Sequence, residues 1–276
     1  MELHEDDGKA TPRTLLGRRL RRLREAAQLS QRALAERVGY PHTYLSRVER
    51  GEQLPSEALA QALDDYFSAD GLFLELLGMA QDSLIANYSR EFVRKESDAI
   101  RIQVFTSSII PGLLQTEEYT RECFREDLAA EALNELDARV AARMKRQQIF
   151  ASDSPPLYWA IIDEAAIRRV TSSKDAMCRQ LEHLLQMAEN PHVTIQVLPF
   201  DRALHALMGG SLILLTLKDG TTTALVESFA SGEAVDSPKK VVELAQRFDV
   251  ARSKALPESE SLDLIRRYLK EYADES

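Results

Sequence analysis

Leu29–Pro55 reads LSQRALAERVGYPHTYLSRVERGEQLP and encodes two short helices around a tight turn. Ser30 is placed to cap a helix that starts at Gln31, because its hydroxyl can accept from a first-turn N–H. Leu34, Ala35 and Val38 give that helix one apolar stripe. Gly39 can take the positive φ that ends it and sends the chain off at a steep angle. Pro41 suits the first turn of a second helix, where its missing N–H is no loss, and Gly51 with Pro55 stops it. Leu45 and Val48 are the only strongly apolar pair on this second helix, so His42, Thr43, Ser46, Arg47 and Arg50 are expected to face outward.

The flanks follow the same pattern. Leu16, Leu20, Leu23 and Ala27 recur at helical spacing, with Arg18, Arg19, Arg21 and Arg22 on the other faces. A helix follows Ser56 with Leu59, Leu63 and Phe67 as its stripe, and Leu72, Leu76, Met79, Ala80 and Leu84 continue the period. Helices this short do not persist alone, so four or five must pack as a bundle. Arg13–Gln53 carries 10 Arg, no Lys and 4 Glu, a net +6; the whole chain is −9, leaving −15 elsewhere. A basic face on an acidic protein points to a polyanion at that face.

Leu29-Ser30-Gln31, Leu34-Ala35-Glu36, Gly39 and Leu45-Ser46-Arg47-Val48-Glu49-Arg50-Gly51 resemble the Xre/Cro family of helix-turn-helix repressor domains. The resemblance implies that Gln31 binds a phosphate at the start of the first motif helix. It puts His42, Thr43, Ser46 and Arg47 on a recognition helix that reads base edges, and makes Arg24 and Glu49 a buried ion pair. With Arg32 and Arg50 from the basic face, the expected DNA-binding set is Gln31, Arg32, His42, Thr43, Ser46, Arg47 and Arg50. The chain departs from the family at Pro41 and His42, where small or amide residues are commoner.

At 276 residues, one or two domains are expected. There is no apolar run near 18 residues, and the opening MELHEDDGKATP is acidic, unlike a signal peptide. Residues 1–12 read as a disordered tail and residues 13–82 as the all-α helix-turn-helix bundle. Residues 83–98, polar and without Gly or Pro, read as a helical connector carrying Tyr88 and Phe92. Cys123 and Cys178 have no C-x-x-C spacing and read as inert thiols of a reducing, cytoplasmic, nucleoid-associated protein.

Residues 99–276 read as a mixed α+β domain. Ile100, Ile102 and Val104 alternate like a half-buried strand, while Leu157–Asp163 and Val193–Leu198 read as buried strands. Ser211–Leu217 and Thr222–Ser228 flank an Asp219-Gly220 hairpin turn. Helical stretches are expected at Glu117–Arg125, Glu131–Phe150, Lys174–Glu189, Pro238–Lys254 and Glu258–Tyr272. Pro111 fixes φ and Gly112 tolerates a positive one, a turn delivering Leu113 and Leu114 inward, and Thr116 caps the helix that follows.

This second region resembles the C-terminal domain of unassigned function in WhiJ-like regulators of actinomycetes. The matching blocks are Ile110–Tyr119, Arg139 and Arg143 leading to Arg146-Gln147, Ile162–Arg169, Met177–Leu181 and Val193–Phe200. That resemblance implies a small partner protein encoded nearby.

No Walker loop, G-x-S-x-G, G-x-G-x-x-G or metal-ligand spacing is present, so no catalysis, cofactor or metal is expected. A ligand or partner site in the second domain would draw on Trp159, Asp163, Glu164, His205 and Glu227, though Asp163 and Glu164 also suit the N-cap and first turn of a helix. The expected function is a sequence-specific, dimeric transcription regulator whose second domain takes a signal from a small partner protein. The alternatives are an antitoxin-like interaction hub with autoregulatory DNA binding, or a repressor that senses a small molecule. Leu133, Leu136, Val140 and Met144 form a stripe that suits either a dimer surface or a core-facing helix.

Overall fold

The computed structural model describes residues 11–83, 87–127, 135–202, 204–228 and 231–274, and the side chains of 82–88 are outside it. The tail reading of residues 1–10, Leu84, the Tyr88 ring and the helical reading of 131–134, with Leu133, fall outside these residues. The chain divides into two compact units, Met1–Ile85 with Ala129–Arg139 and Ala86–Leu128 with Val140–Ser276.

Within the first unit, residues 11–83 form a bundle of five helices: α1 (Pro12–Ala26), α2 (Gln31–Val38), α3 (His42–Glu49), α4 (Glu57–Phe67) and α5 (Leu72–Ser83). The expected caps are in place. Ser30 Oγ accepts from the Ala33 N–H at 3.1 Å, and Ser56 Oγ from the Leu59 N–H at 3.1 Å. Gly39 ends α2 at φ 76°. Pro41 sits one place before the first turn of α3, as its N-cap.

Leu16, Leu20, Leu34, Leu45, Val48, Leu59, Leu63, Phe73 and Leu77 form the core of this unit. The stripe of α5 differs from the expected one. Phe73, Leu76, Leu77 and Ala80 are buried, while Met79 is 50% exposed. The cause is Asp64 of α4, whose two carboxylate oxygens accept from the N–H groups of Phe73 and Leu74 at 2.9 and 3.0 Å. That anchor satisfies two donors of the first turn of α5 and sets its rotation so that Phe73 points inward.

The second unit begins with α6 (Asn87–Glu96), which packs on its sheet with Phe92 buried. In chain order follow β1 (Ala99–Thr106), a 3-10 turn at Gly112–Leu114, α7 (Glu117–Asp127) and α8 (Leu136–Arg146). Next come a 3-10 turn at Gln147–Ala151, β2 (Leu157–Asp163), α9 (Glu164–Arg168), α10 (Lys174–Met187) and β3 (Val193–Leu198). The unit closes with β4 (Ser211–Leu217), β5 (Thr222–Glu227), β6 (Gly232–Val235), α11 (Pro238–Lys254) and α12 (Glu258–Asp274). α8 itself crosses the division between the units at Arg139.

Six strands form one mixed sheet in the order β3-β2-β1-β4-β5-β6. The β1–β2 and β2–β3 pairs are parallel, and β1–β4, β4–β5 and β5–β6 are antiparallel. Gly220 turns the β4–β5 hairpin at φ 83°, and Asp219 Oδ1 accepts from the Thr221 N–H at 2.9 Å. Ile100 departs from the alternation expected of β1. The register against β4 shifts between Ala99 and Arg101, so Ile100 bulges out and is 48% exposed.

One face of the sheet, with Ile102, Val104, Ala160, Ile162, Ile195 and Leu225, packs on Met177, Leu181 and Leu184 of α10 and Ile265 and Tyr268 of α12. The other face, with Phe105, Ile161, Leu214 and Ala224, is covered by Val241, Phe248 and Ala251 of α11. In the α8 stripe Val140 is buried while Leu136 and Met144 are half-buried.

Candidate nucleic-acid interface

α2, the Gly39 turn and α3 fix which side chains the first unit presents. Leu45 and Val48 are buried, so the opposite side of α3 carries exposed His42, Thr43, Arg47 and Arg50. Arg32 on α2 and Arg18, Arg19 and Arg22 on α1 are exposed as well.

Ser46 lies deeper, 8% exposed, and its Oγ accepts from Arg50 Nη1 at 2.5 Å. The Arg50 guanidinium also meets the Glu52 carboxylate at 2.6 and 2.8 Å. The pair is solvated and adds little to stability, yet it orients Arg50 along the helix end.

Beneath α3, Glu49 is 7% exposed. Arg24 Nε and Nη2 donate to its two oxygens at 2.5 and 3.1 Å, and Gln31 Nε2 donates to Oε2 at 2.6 Å. Arg24 Nη1 donates to the Leu29 carbonyl at 2.7 Å. One carboxylate thus ties α1, the entry to α2 and α3 together, and Gln31 is positioned by Glu49. The arrangement is a rigid exposed helix of basic and small polar side chains, of a size the DNA major groove admits.

The residues expected to form a site in the second unit are distributed over both faces of the sheet. Trp159 Nε1 donates to Gln196 Oε1 at 2.8 Å, with the Arg252 guanidinium over its ring at 5.1 Å. Four residues on along β2, Asp163 caps α9 by accepting from the Ala165 N–H at 2.9 Å and stands 3.7 Å from His205 Nε2. Burial lowers the His205 pKa, with Asp163 opposing the shift. Glu164 accepts from the Phe200 N–H at 2.6 Å and from the Tyr268 hydroxyl. Glu227 follows Leu225 on the opposite face, within electrostatic reach of Arg143 and Arg146; burial raises its pKa and the two arginines oppose this.

Of the structural keystones, Gly17 and Glu96 carried no sequence signal, whereas Gly112 and Thr116 did. A Cβ at Gly17 would stand 2.6 Å from the Glu49 carbonyl oxygen and 2.7 Å from that of Val48, so α1 approaches α3 only because residue 17 has none. Gly112 lies in a 3-10 turn without a positive φ, contrary to expectation. A Cβ there would only touch the Arg143 guanidinium, at 3.4 Å. Thr116 caps α7 as expected, accepting from the Tyr119 N–H at 3.2 Å. Glu96 takes both Nε and Nη2 of Arg146, at 3.0 and 2.9 Å.

Comparison with known families places two matches on these units. A model described as a helix-turn-helix domain matches residues 15–77, covering α1 to α4 and half of α5. A model described as a domain of unknown function (DUF5753) matches residues 89–267. No curated protein and no solved structure matches the chain. Among the described residues, no helix is long and apolar enough to cross a membrane.

Proposed function

We propose that this chain, which belongs to the family of the domain of unknown function (DUF5753), is a sequence-specific transcription regulator that reads operator DNA through α3. The observation that carries the reading is the exposed row His42, Thr43 and Arg47, backed by the Arg24–Glu49–Gln31 cluster. The helix-turn-helix match over residues 15–77 supports it. In this reading Gln31 and Arg32 meet phosphates, His42, Thr43 and Arg47 meet base edges, Arg50 flanks them, and Ser46, expected from the sequence to join them, instead holds Arg50 from below. The Xre/Cro resemblance of the motif and the WhiJ-like resemblance of the second unit give the finer placement. Two copies bind two half-sites, because operators read by this class mirror protein symmetry.

The second unit takes the signal from a small partner protein, in a cytoplasmic, nucleoid-associated complex. Phe200, Leu204 and Met208, all on the connection between β3 and β4, are 59%, 80% and 56% exposed, and exposed apolar side chains of this size support a protein partner. The same observation favours the second reading, an antitoxin-like hub whose DNA binding is autoregulatory.

A mobility-shift titration with the full chain and the DNA upstream of its own gene tests the proposal. Arg47→Ala is expected to lose about 1–3 kcal/mol of preference for that fragment over random duplex, the worth of one bidentate base contact. Equal preference in both proteins would remove Arg47 from the reading set.

A further inference from the structure

α3 ends in a clasp. Gly51 takes φ 68°, and the Glu52 N–H folds back onto the Arg47 carbonyl at 2.9 Å. That turn closes the helix and fixes the backbone of Glu52 over its last turn. There Arg50 Nε and Nη2 donate to the two Glu52 carboxylate oxygens at 2.6 and 2.8 Å, and Arg50 Nη1 donates to Ser46 Oγ at 2.5 Å. The Nε–Nη2 edge of Arg50, which can grip two oxygens at once, is therefore filled by the protein's own carboxylate.

Glu52 is out of keeping with its surroundings. From His42 to Gln53 it is the only exposed acid, since Glu49 is buried. The Arg50 guanidinium beside it holds its carboxyl below the usual carboxylate range, and Arg47 and Arg13 act in the same direction. Glu52 is thus a full negative charge set among three arginines. Two oxygens of a phosphate match the same guanidinium edge that it fills. Both side chains of the Arg50–Glu52 pair are 52% exposed, so water and salt screen it and little opposes its opening.

We propose that Glu52 is an internal competitor for DNA phosphate, holding Arg50 in the free protein and yielding it to a phosphate when a duplex arrives. The proposal rests on the DNA reading of α3. Exchange is favoured over a clasp that stays closed for two reasons. A duplex carries one phosphate charge per about 1.7 Å of its axis, so one exposed ion pair is replaced by another while counterions are released. Ser46 sits one turn back on the same helix and gives Arg50 a pivot that need not be surrendered. Glu52 then lowers the affinity for every duplex by the same factor, and leaves the choice of sequence to His42, Thr43 and Arg47.

The test is fluorescence anisotropy of the full chain with a duplex of random sequence over a salt series, for the natural chain, Glu52→Gln, Arg50→Ala and the double variant. Glu52→Gln is expected to bind at least about threefold tighter near 0.1 M salt. Arg50→Ala should flatten the log–log salt slope by about 0.9, the mark of one phosphate contact, and should cost more affinity in the Glu52→Gln chain than in the natural one. On the unaltered chain, the 13C signal of the Glu52 carboxylate should move toward that of an unpaired glutamate as duplex is added, a readout that needs no variant. A Glu52→Gln chain that binds no tighter, an equal cost of Arg50→Ala in both backgrounds, or a Glu52 signal that stays put would each overturn the competition while leaving the DNA reading intact. An unchanged slope for Arg50→Ala would show that the clasp stays closed on DNA and would overturn it as well. Failure of the natural chain and Glu52→Gln alike to bind any duplex would instead sink the DNA reading, and the competitor with it.

Discussion

Arg24 and Glu49 meet through two parallel hydrogen bonds, at 2.5 and 3.1 Å, between α1 and the last residue of α3. Their side chains are 11% and 2% exposed. A pair this deep does its structural work through what happens when one member is lost. Glu49→Ala leaves the Arg24 guanidinium and the Gln31 amide without their acceptor. It is expected to cost about 3–5 kcal/mol in urea denaturation. The double change Arg24→Met with Glu49→Leu should recover most of that loss, because no charge is then stranded. Equal destabilisation by the single and double variants would contradict this account of the pair.

Gly17 and Gly78 should respond to alanine with opposite signs. At Gly17 the new Cβ meets two backbone carbonyls of α3 that have nowhere to move, so Gly17→Ala should cost about 1–3 kcal/mol from overpacking. At Gly78 no atom lies within 4 Å, and Gly78→Ala should stabilise α5 by about 0.5–1 kcal/mol through helix propensity. Thermal denaturation of the two variants checks both signs.

Burial holds His183 and His205 below the usual histidine range, with Asp163 opposing and Lys254 adding to the shift at His205. Their folded pKa values are depressed, so the unfolded chain takes up more protons in the window between those values and about 6.5. Stability therefore rises with pH across that window and is flat above it as far as these groups are concerned. Thermal midpoints from about pH 7 down to about pH 5 should fall more for the natural chain than for His205→Gln. Parallel curves would show that His205 makes no such contribution.

The outline of α1–α5 was readable because every signal there is local. A serine cap, a glycine turn and an apolar stripe are each complete within a dozen residues. What escaped was non-local. Asp64 rotates α5 from nine residues away, and the close approach at Gly17 exists only once α1 lies on α3. In the second unit the buried strands announced themselves as apolar runs. β6, the four residues Gly232–Val235, has no such run and exists because β5 offers it an edge. The placement of Trp159, Asp163, Glu164, His205 and Glu227 on two faces of one sheet follows from strand order, which no residue pattern encodes. Arg143 was visible as part of a motif, but its hydrogen bond to Gln115 and its place over the Phe124 ring exist only once the chain has folded.

Electrostatics at the first unit predicts a salt response. If Gln31, Arg32 and the exposed arginines of α1 contact phosphates, binding to any duplex should weaken steeply with salt, with a log–log slope of about −0.9 per phosphate neutralised. Arg32→Ala should flatten that slope by about one phosphate and leave sequence preference intact. Fluorescence anisotropy over a salt series measures it, and an unchanged slope would exclude a phosphate contact at Arg32.

The central claim is that α3 reads base sequence, and selection of binding sites from a random duplex pool tests it most directly. The full chain should enrich one motif arranged as two related half-sites, and Arg47→Ala should relax the preference at one position within each half-site while the others persist. Enrichment of no motif, or of the same motif undiminished by Arg47→Ala together with His42→Ala and Thr43→Ala, would contradict it.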